Sequence, residues 1–128
     1  MRTDHNLWPS ISARDPLALR TWLGRLGFEE GGCYVEDDGT TVRHSEMLWP
    51  EGGRVMVSSA GKATAEFTSP VGTTQIYVVT DRPDDVHAAA AALGAEVVRP
   101  LKDEDYGSRG FSIRDPEGNT WSFGTYAG

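Results

Sequence analysis

The sequence predicts an α+β fold of two βαβββ modules, forming a curved mixed sheet with helices on its convex face. Three observations predict it. An apolar helical stripe with i, i+3, i+4, i+7 spacing occurs twice, at Leu19, Trp22, Leu23, Leu26 and at Val86, Ala89, Ala90, Leu93. Each stripe opens after an Asp and a Pro and closes on a Gly: Asp15, Pro16 and Gly27, then Asp81, Pro83 and Gly94. One strand-like stretch precedes each stripe and three follow it.

In order, Leu7 to Ser12 reads as the first strand. Asp15 can then accept from the free amides of a helix start, and Pro16 fits the first helical position, where its missing N–H is no loss. Gly27 supplies the left-handed residue that ends the helix. Glu30 to Glu36, Thr41 to Trp49 and Arg54 to Ser59 follow as strands, separated by Asp37-Asp38-Gly39 and Pro50-Glu51-Gly52-Gly53. Module one therefore covers about residues 7–60, and a linker about residues 61–72. Module two, about residues 73–126, opens with Thr74 to Thr80, rich in β-branched residues. Its helix begins at Asp81 and Pro83, and Glu96 to Leu101, Gly110 to Arg114 and Thr120 to Thr125 are its remaining strands.

The 128 residues suit a single domain able to bury a core without a metal or disulfide. Cys33 is the only cysteine, which excludes an internal disulfide and fits a reducing compartment. No apolar segment follows Met1 to Asn6, and no run approaches the ~20 apolar residues of a membrane span, so the expectation is a cytoplasmic protein. Twelve basic against nineteen acidic residues give a net charge of −7, which repels phosphate backbones and argues against nucleic acid as a partner. The same field favours a cationic ligand.

The run Phe111-Ser112-Ile113-Arg114-Asp115-Pro116-Glu117-Gly118-Asn119-Thr120-Trp121-Ser122-Phe123 combines two strands with a tight hairpin. Pro116 presets φ, Gly118 tolerates φ > 0 and Asp115 can bond its own turn. With the two-module order, the opening Ser12-Ala13-Arg14-Asp15 and the helix ending Leu26-Gly27-Phe28, this run resembles the vicinal oxygen chelate superfamily. That group includes glyoxalase I, extradiol dioxygenases, fosfomycin-resistance enzymes and bleomycin-resistance proteins, and the resemblance covers nearly the whole chain.

Strand alternation separates a core face from a cup face. Phe111, Ile113, Trp121 and Phe123 share one parity; Ser112, Arg114, Thr120, Ser122 and Gly124 share the other. Ile76 and Val78 oppose Gln75, Tyr77 and Val79, while Leu7 and Ile11 oppose Trp8, Ser10 and Ser12. The apolar parity should lie under the helices, which leaves the mixed parity for a ligand.

The resemblance implies four metal ligands on the cup face, chiefly His and Glu, that hold a divalent ion as a Lewis acid. Carried over by position, they fall on Trp8, Glu46, Gln75 and Ser122. Indole offers no lone pair to a metal and a serine hydroxyl is a weak donor, so too few ligands remain. His5 has the wrong strand parity and His87 belongs at the solvent edge of the second helix. His44 shares parity with Glu46 and is expected to be hydrogen-bonded to it. No cofactor is expected. Trp8 should floor the cup beside Tyr77; Tyr106 and Arg109, on a Gly- and charge-rich segment, should close its mouth. The resemblance further implies a homodimer. The resulting expectation is a protein that sequesters a planar or cationic natural product. The alternatives are a metal-dependent lyase, isomerase or dioxygenase, or a protein-contact module with a vestigial cup.

Overall fold

The structure is a computed structural model that describes residues 7–62, 66 and 68–128. Along them run β1 (Ser10–Ala13), α1 (Pro16–Leu26), β2 (Glu29–Val35), β3 (Val42–Leu48) and β4 (Arg54–Ser59). Module two follows with β5 (Gln75–Val79), α2 (Pro83–Ala92), β6 (Glu96–Asp103), β7 (Arg109–Arg114) and β8 (Thr120–Gly124). The βαβββ order therefore occurs twice. The strands form two four-stranded sheets, ordered β1-β4-β3-β2 and β5-β8-β7-β6, rather than one continuous sheet. In each, the first strand lies parallel to the fourth and the other pairings are antiparallel.

The helices start and stop where local chemistry dictates. The Asp15 carboxylate accepts from the Ala18 amide at 3.1 Å, with Pro16 at the first helical position. Gly27, at φ 133°, ends α1 in a conformation that a Cβ disfavours. Helix α2 departs from expectation: its N-cap is Arg82, not Asp81, and no side chain caps it. Instead the Thr80 hydroxyl accepts from the Arg82 amide, and Asp84 and Asp85 place negative charge on the positive helix end.

Asp81 serves another purpose. Its amide donates to the Glu51 carboxylate of module one at 2.8 Å. Conversely, the amides of Arg14 and Asp15 donate to the two oxygens of Glu117 of module two, at 2.8 and 2.9 Å. Glu51 and Glu117 both sit in Pro-Glu-Gly turns, so each module offers a carboxylate to the strand–helix junction of the other.

The helix-bearing faces of the two sheets share one core. Phe28 meets Trp121 edge-on at 5.5 Å and Trp49 meets Phe123 at 5.7 Å, so aromatic contacts join the modules. Ile11, Leu19, Leu23, Met47, Val57, Phe111, Ile113 and Trp121 are all buried in the same cluster. Burial of each such side chain contributes roughly 1.5–3 kcal/mol. The opposite faces of both sheets point away from this core.

Three expectations change. The first strand starts at Ser10, so Leu7 and Trp8 precede it, and Leu7 is 84% exposed instead of sharing the core with Ile11. His87 packs edge-on against Phe111, with ring centroids 5.1 Å apart. Strand β6 continues past Leu101 to Asp103. His5 lies outside the described residues. No helix among them is long and apolar enough to cross a membrane.

Candidate functional site

The outward face of the first sheet carries a cavity of about 640 Å³, walled by β1, β3 and β4 and by the segment after β4. Register explains its floor. Met56 stands between Ser10 on one side and Glu46 on the other, and Ser58 lies beside Ser12. Met56 and Ser58 alternate with the buried Val55 and Val57, so they face outward while the valines face the core. His44, Arg43 and Lys62 complete one wall; Glu66, Thr68 and Ser69 form the other. Ser69 is fixed there by its amide, which donates to the Ser12 hydroxyl at 2.9 Å.

A chain of charged and aromatic groups crosses the same face. His44 Nε2 lies 2.8 Å from Glu46 Oε2; a carboxylate can only accept, so the imidazole donates. The Arg54 guanidinium donates to the other oxygen, Oε1. Arg54 in turn lies under the Trp8 ring, 4.4 Å from its centroid, a favourable cation–π arrangement. At the far end Tyr34 stacks on His44 at 6.1 Å. The bonds from His44 and then Arg54 hold the Glu46 carboxyl below its ordinary range, so it is ionised. Both Glu46 oxygens are thus committed to protein partners.

The remaining expected residues lie in module two, on its sheet or, for Tyr106, in the turn between β6 and β7. The Tyr77 hydroxyl donates to the Tyr126 carbonyl at 2.7 Å, and burial pushes its ionisation upward. Tyr106 meets Tyr126 edge-on at 5.7 Å. The Ser112 and Ser122 hydroxyls bond each other at 2.7 Å, and Gln75 stands exposed on the edge strand beside Thr120. Tyr77, Ser122 and Ser112 form one row across β5, β8 and β7.

Arg109 does not join them. It shares the parity of Phe111 and Ile113, and its guanidinium bonds Asp84 of α2 at 2.8 Å and Asp103 at 3.4 Å. Its parity assigns it to the helix side of the sheet, so the expectation that it closes the mouth is corrected. Trp8 is also displaced: it precedes β1, is 42% exposed and covers Arg54, while Met56 floors the cavity. One chain therefore does not bring the nine expected residues together. His44 lines the cavity, Glu46 and Trp8 stand beside it, and Gln75, Tyr77, Tyr106, Ser112 and Ser122 belong to the other module.

The repeat also tests the implied metal. Ser122 pairs with Tyr77 on one side and Ser112 on the other, as Met56 pairs with Ser10 and Glu46. The module-one counterpart of Ser122 is therefore Met56, and Glu46 corresponds to Ser112, one strand away. The equivalent positions are thus Trp8, Met56, Gln75 and Ser122: an indole, a thioether, an amide and a hydroxyl already bonded to Ser112. This set does not fit a divalent metal of the Mg, Mn, Ni or Zn kind, which wants imidazole, thiolate or carboxylate donors. Among the described residues no three His, Cys, Asp or Glu side chains cluster as ligands.

Sequence reasoning missed Ser58, Met56 and Arg54, although their alternation with Val55 and Val57 was a readable signal. Lys62, Glu66, Thr68 and Ser69 carried no such signal, because they follow the last strand of the module.

Comparison with known proteins gives the wider setting. The model of the Glyoxalase/Bleomycin resistance protein/Dioxygenase superfamily matches residues 16–123. No curated protein matches the chain. Among solved structures, TioX from Micromonospora sp. ML1 is similar at 29% identity and a TM-score of 0.79, over 97% of this chain and 99% of that one. A glyoxalase/bleomycin resistance protein/dioxygenase superfamily member from Sphaerobacter thermophilus DSM 20745 shares 21% identity, with a TM-score of 0.69 over 97% of both chains. A glyoxalase/bleomycin resistance protein from Catenulispora acidiphila DSM 44928 shares 20%, with a TM-score of 0.65 over 94% of this chain and 97% of that one. At 20–21% identity the last two support the fold alone.

Proposed function

Because the chain belongs to the Glyoxalase/Bleomycin resistance protein/Dioxygenase superfamily, we propose that it is a small-molecule-binding protein of the bleomycin-resistance type, holding a planar organic molecule over Met56 without metal chemistry. One observation carries the reading: a cavity of about 640 Å³ lies open on the face where the family's ligands would sit, and its carboxylate neighbour Glu46 is already paired with Arg54 and hydrogen-bonded by His44. Such a volume suits a small organic ligand. The Met56 thioether offers a soft surface for an aromatic ring. A metal-dependent lyase, isomerase or dioxygenase would need donors that Trp8, Met56, Gln75 and Ser122 do not supply.

A homodimer is part of the proposal. Tyr77, Val79, Tyr34, Val35, Val97 and Val98 are exposed on the sheets, and β1 and β5 are edge strands with one hydrogen-bonding side unpaired in their own sheets. A second copy apposing its second sheet to the first would set Tyr77 and Ser122 across from Met56 and His44.

Thermal denaturation against a panel of planar aromatic compounds in chelator tests the binding. A ligand at a hundred times its Kd should stabilise by about 2.7 kcal/mol. Uniform failure across the panel would remove the proposal. Light scattering on the eluting protein should give twice the chain mass, and a monomer at high micromolar concentration would remove the dimer.

A further inference from the structure

Resting on the binding reading above, we infer that the cup on the first sheet takes its ligand by an anionic group, a carboxylate or phenolate on a planar organic molecule, set against Lys62 and Arg43. The chain as a whole carries −7, but this cavity has the opposite balance. Its walls hold two permanent cations, Arg43 and Lys62, against one carboxylate, Glu66.

Lys62 is held in place, and neither cation is ion-paired among the described residues. Lys62 Nζ donates to the Ser58 hydroxyl at 3.0 Å and reaches the Arg43 carbonyl at 3.4 Å, which holds the ammonium beside the cup wall. Both partners are neutral oxygens, and among the described residues neither Lys62 nor Arg43 has a carboxylate within ion-pair distance. Glu46, the group that would have attracted a cation, has both oxygens occupied by His44 and Arg54. The hydroxyls of Ser10 and Ser58 add donors that can turn toward an anion, while Met56 beneath them is apolar. An ammonium ligand would meet two like charges on entering. A carboxylate would gain charge-assisted bonds, which are about twice as strong as neutral ones. The sequence-based preference for a cationic ligand is thereby reversed at this site.

Three probes of one shape test this on the full chain by calorimetric titration: naphthalene-2-carboxylate, 2-naphthamide and 2-naphthylmethylammonium. The carboxylate should bind at least about tenfold more tightly than the amide, the scale of one charge-assisted bond. Lys62→Met combined with Arg43→Gln should reduce that preference, read as the ratio of carboxylate to amide affinity within the variant, to under about threefold. Amide or ammonium binding as tight as the carboxylate would overturn the anion assignment and leave the binding reading standing. Absence of binding by all three would overturn both. The comparison on the unsubstituted protein stands whether or not the variant folds.

Discussion

Removing the Asp115 carboxylate should destabilise the protein more than most single substitutions, because four donors converge on it. Oδ1 accepts from the amides of Glu117 at 2.8 Å and Asn119 at 3.0 Å. Oδ2 accepts from Asn119 Nδ2 at 2.9 Å and Trp121 Nε1 at 2.8 Å. Asp115, Asn119 and Trp121 are all buried and Glu117 is half-buried, so Asp115→Ala leaves three donors that water cannot reach and a fourth that it reaches only in part. At about 1 kcal/mol per stranded donor, the low end of the usual range, the loss is about 4 kcal/mol. Unfolding entropy near 2.1 cal/mol/K per residue gives about 270 cal/mol/K for this chain, so Tm should fall by about 15 °C. Asp115→Asn keeps the Oδ1 pair but turns an amide toward Trp121 Nε1 and Asn119 Nδ2. Asn119 cannot simply flip to compensate, because its Oδ1 already accepts from the Thr74 amide. That variant should lose about half as much, roughly 2 kcal/mol. Urea denaturation of the three proteins measures both. A loss below about 1 kcal/mol for Asp115→Ala would refute the reasoning.

Glu46, ionised and held by His44 and Arg54, titrates below its ordinary range in the folded protein. A depressed folded pKa stabilises above the unfolded value and loses that stability as pH falls through the folded one. The advantage over Glu46→Gln, about 1 kcal/mol at neutral pH, should therefore vanish in acid, as pH-dependent urea midpoints would show. The Asp38 carboxyl, bonded by the Thr41 hydroxyl and the Thr41 and Thr40 amides, is lowered to about 2, so its carbon resonance should have a midpoint there rather than near 3.8. Glu117→Ala removes the carboxylate that joins the modules at Arg14 and Asp15, and should cost about 1 kcal/mol; the Arg14 and Asp15 amides should then exchange faster with solvent. Unchanged exchange would contradict that role.

Most of the fold was legible because the repeat states it twice. Asp15, Pro16 and Gly27 punctuate α1 as their backbone preferences require, and the parity of Phe111, Ile113, Trp121 and Phe123 identifies the core face. The second helix start was less legible, since Asp81 resembles a cap, yet its amide is drawn to Glu51 from distant sequence. The site was only partly readable. Parity brought Glu46 and His44 together, and applied to Arg109 it would have sent that residue to Asp84. Trp8 was lost because β1 begins two residues after it. The equivalence of Met56 and Ser122 needed strand register, which depends on pairing rather than local pattern. Nothing local marks Lys62 or Ser69 as cup residues, since only the path of the chain after β4 places them there.

The central claim is that a metal-free cup over Met56 holds the ligand. A crystal structure grown with nickel and naphthalene-2-carboxylate together tests it most directly. The account predicts aromatic density over Met56, its carboxylate toward Lys62 and Arg43, and no coordinated ion near Trp8, Met56 or Glu46. A cation bound there by Glu46, with the probe's oxygens completing its coordination, would contradict it.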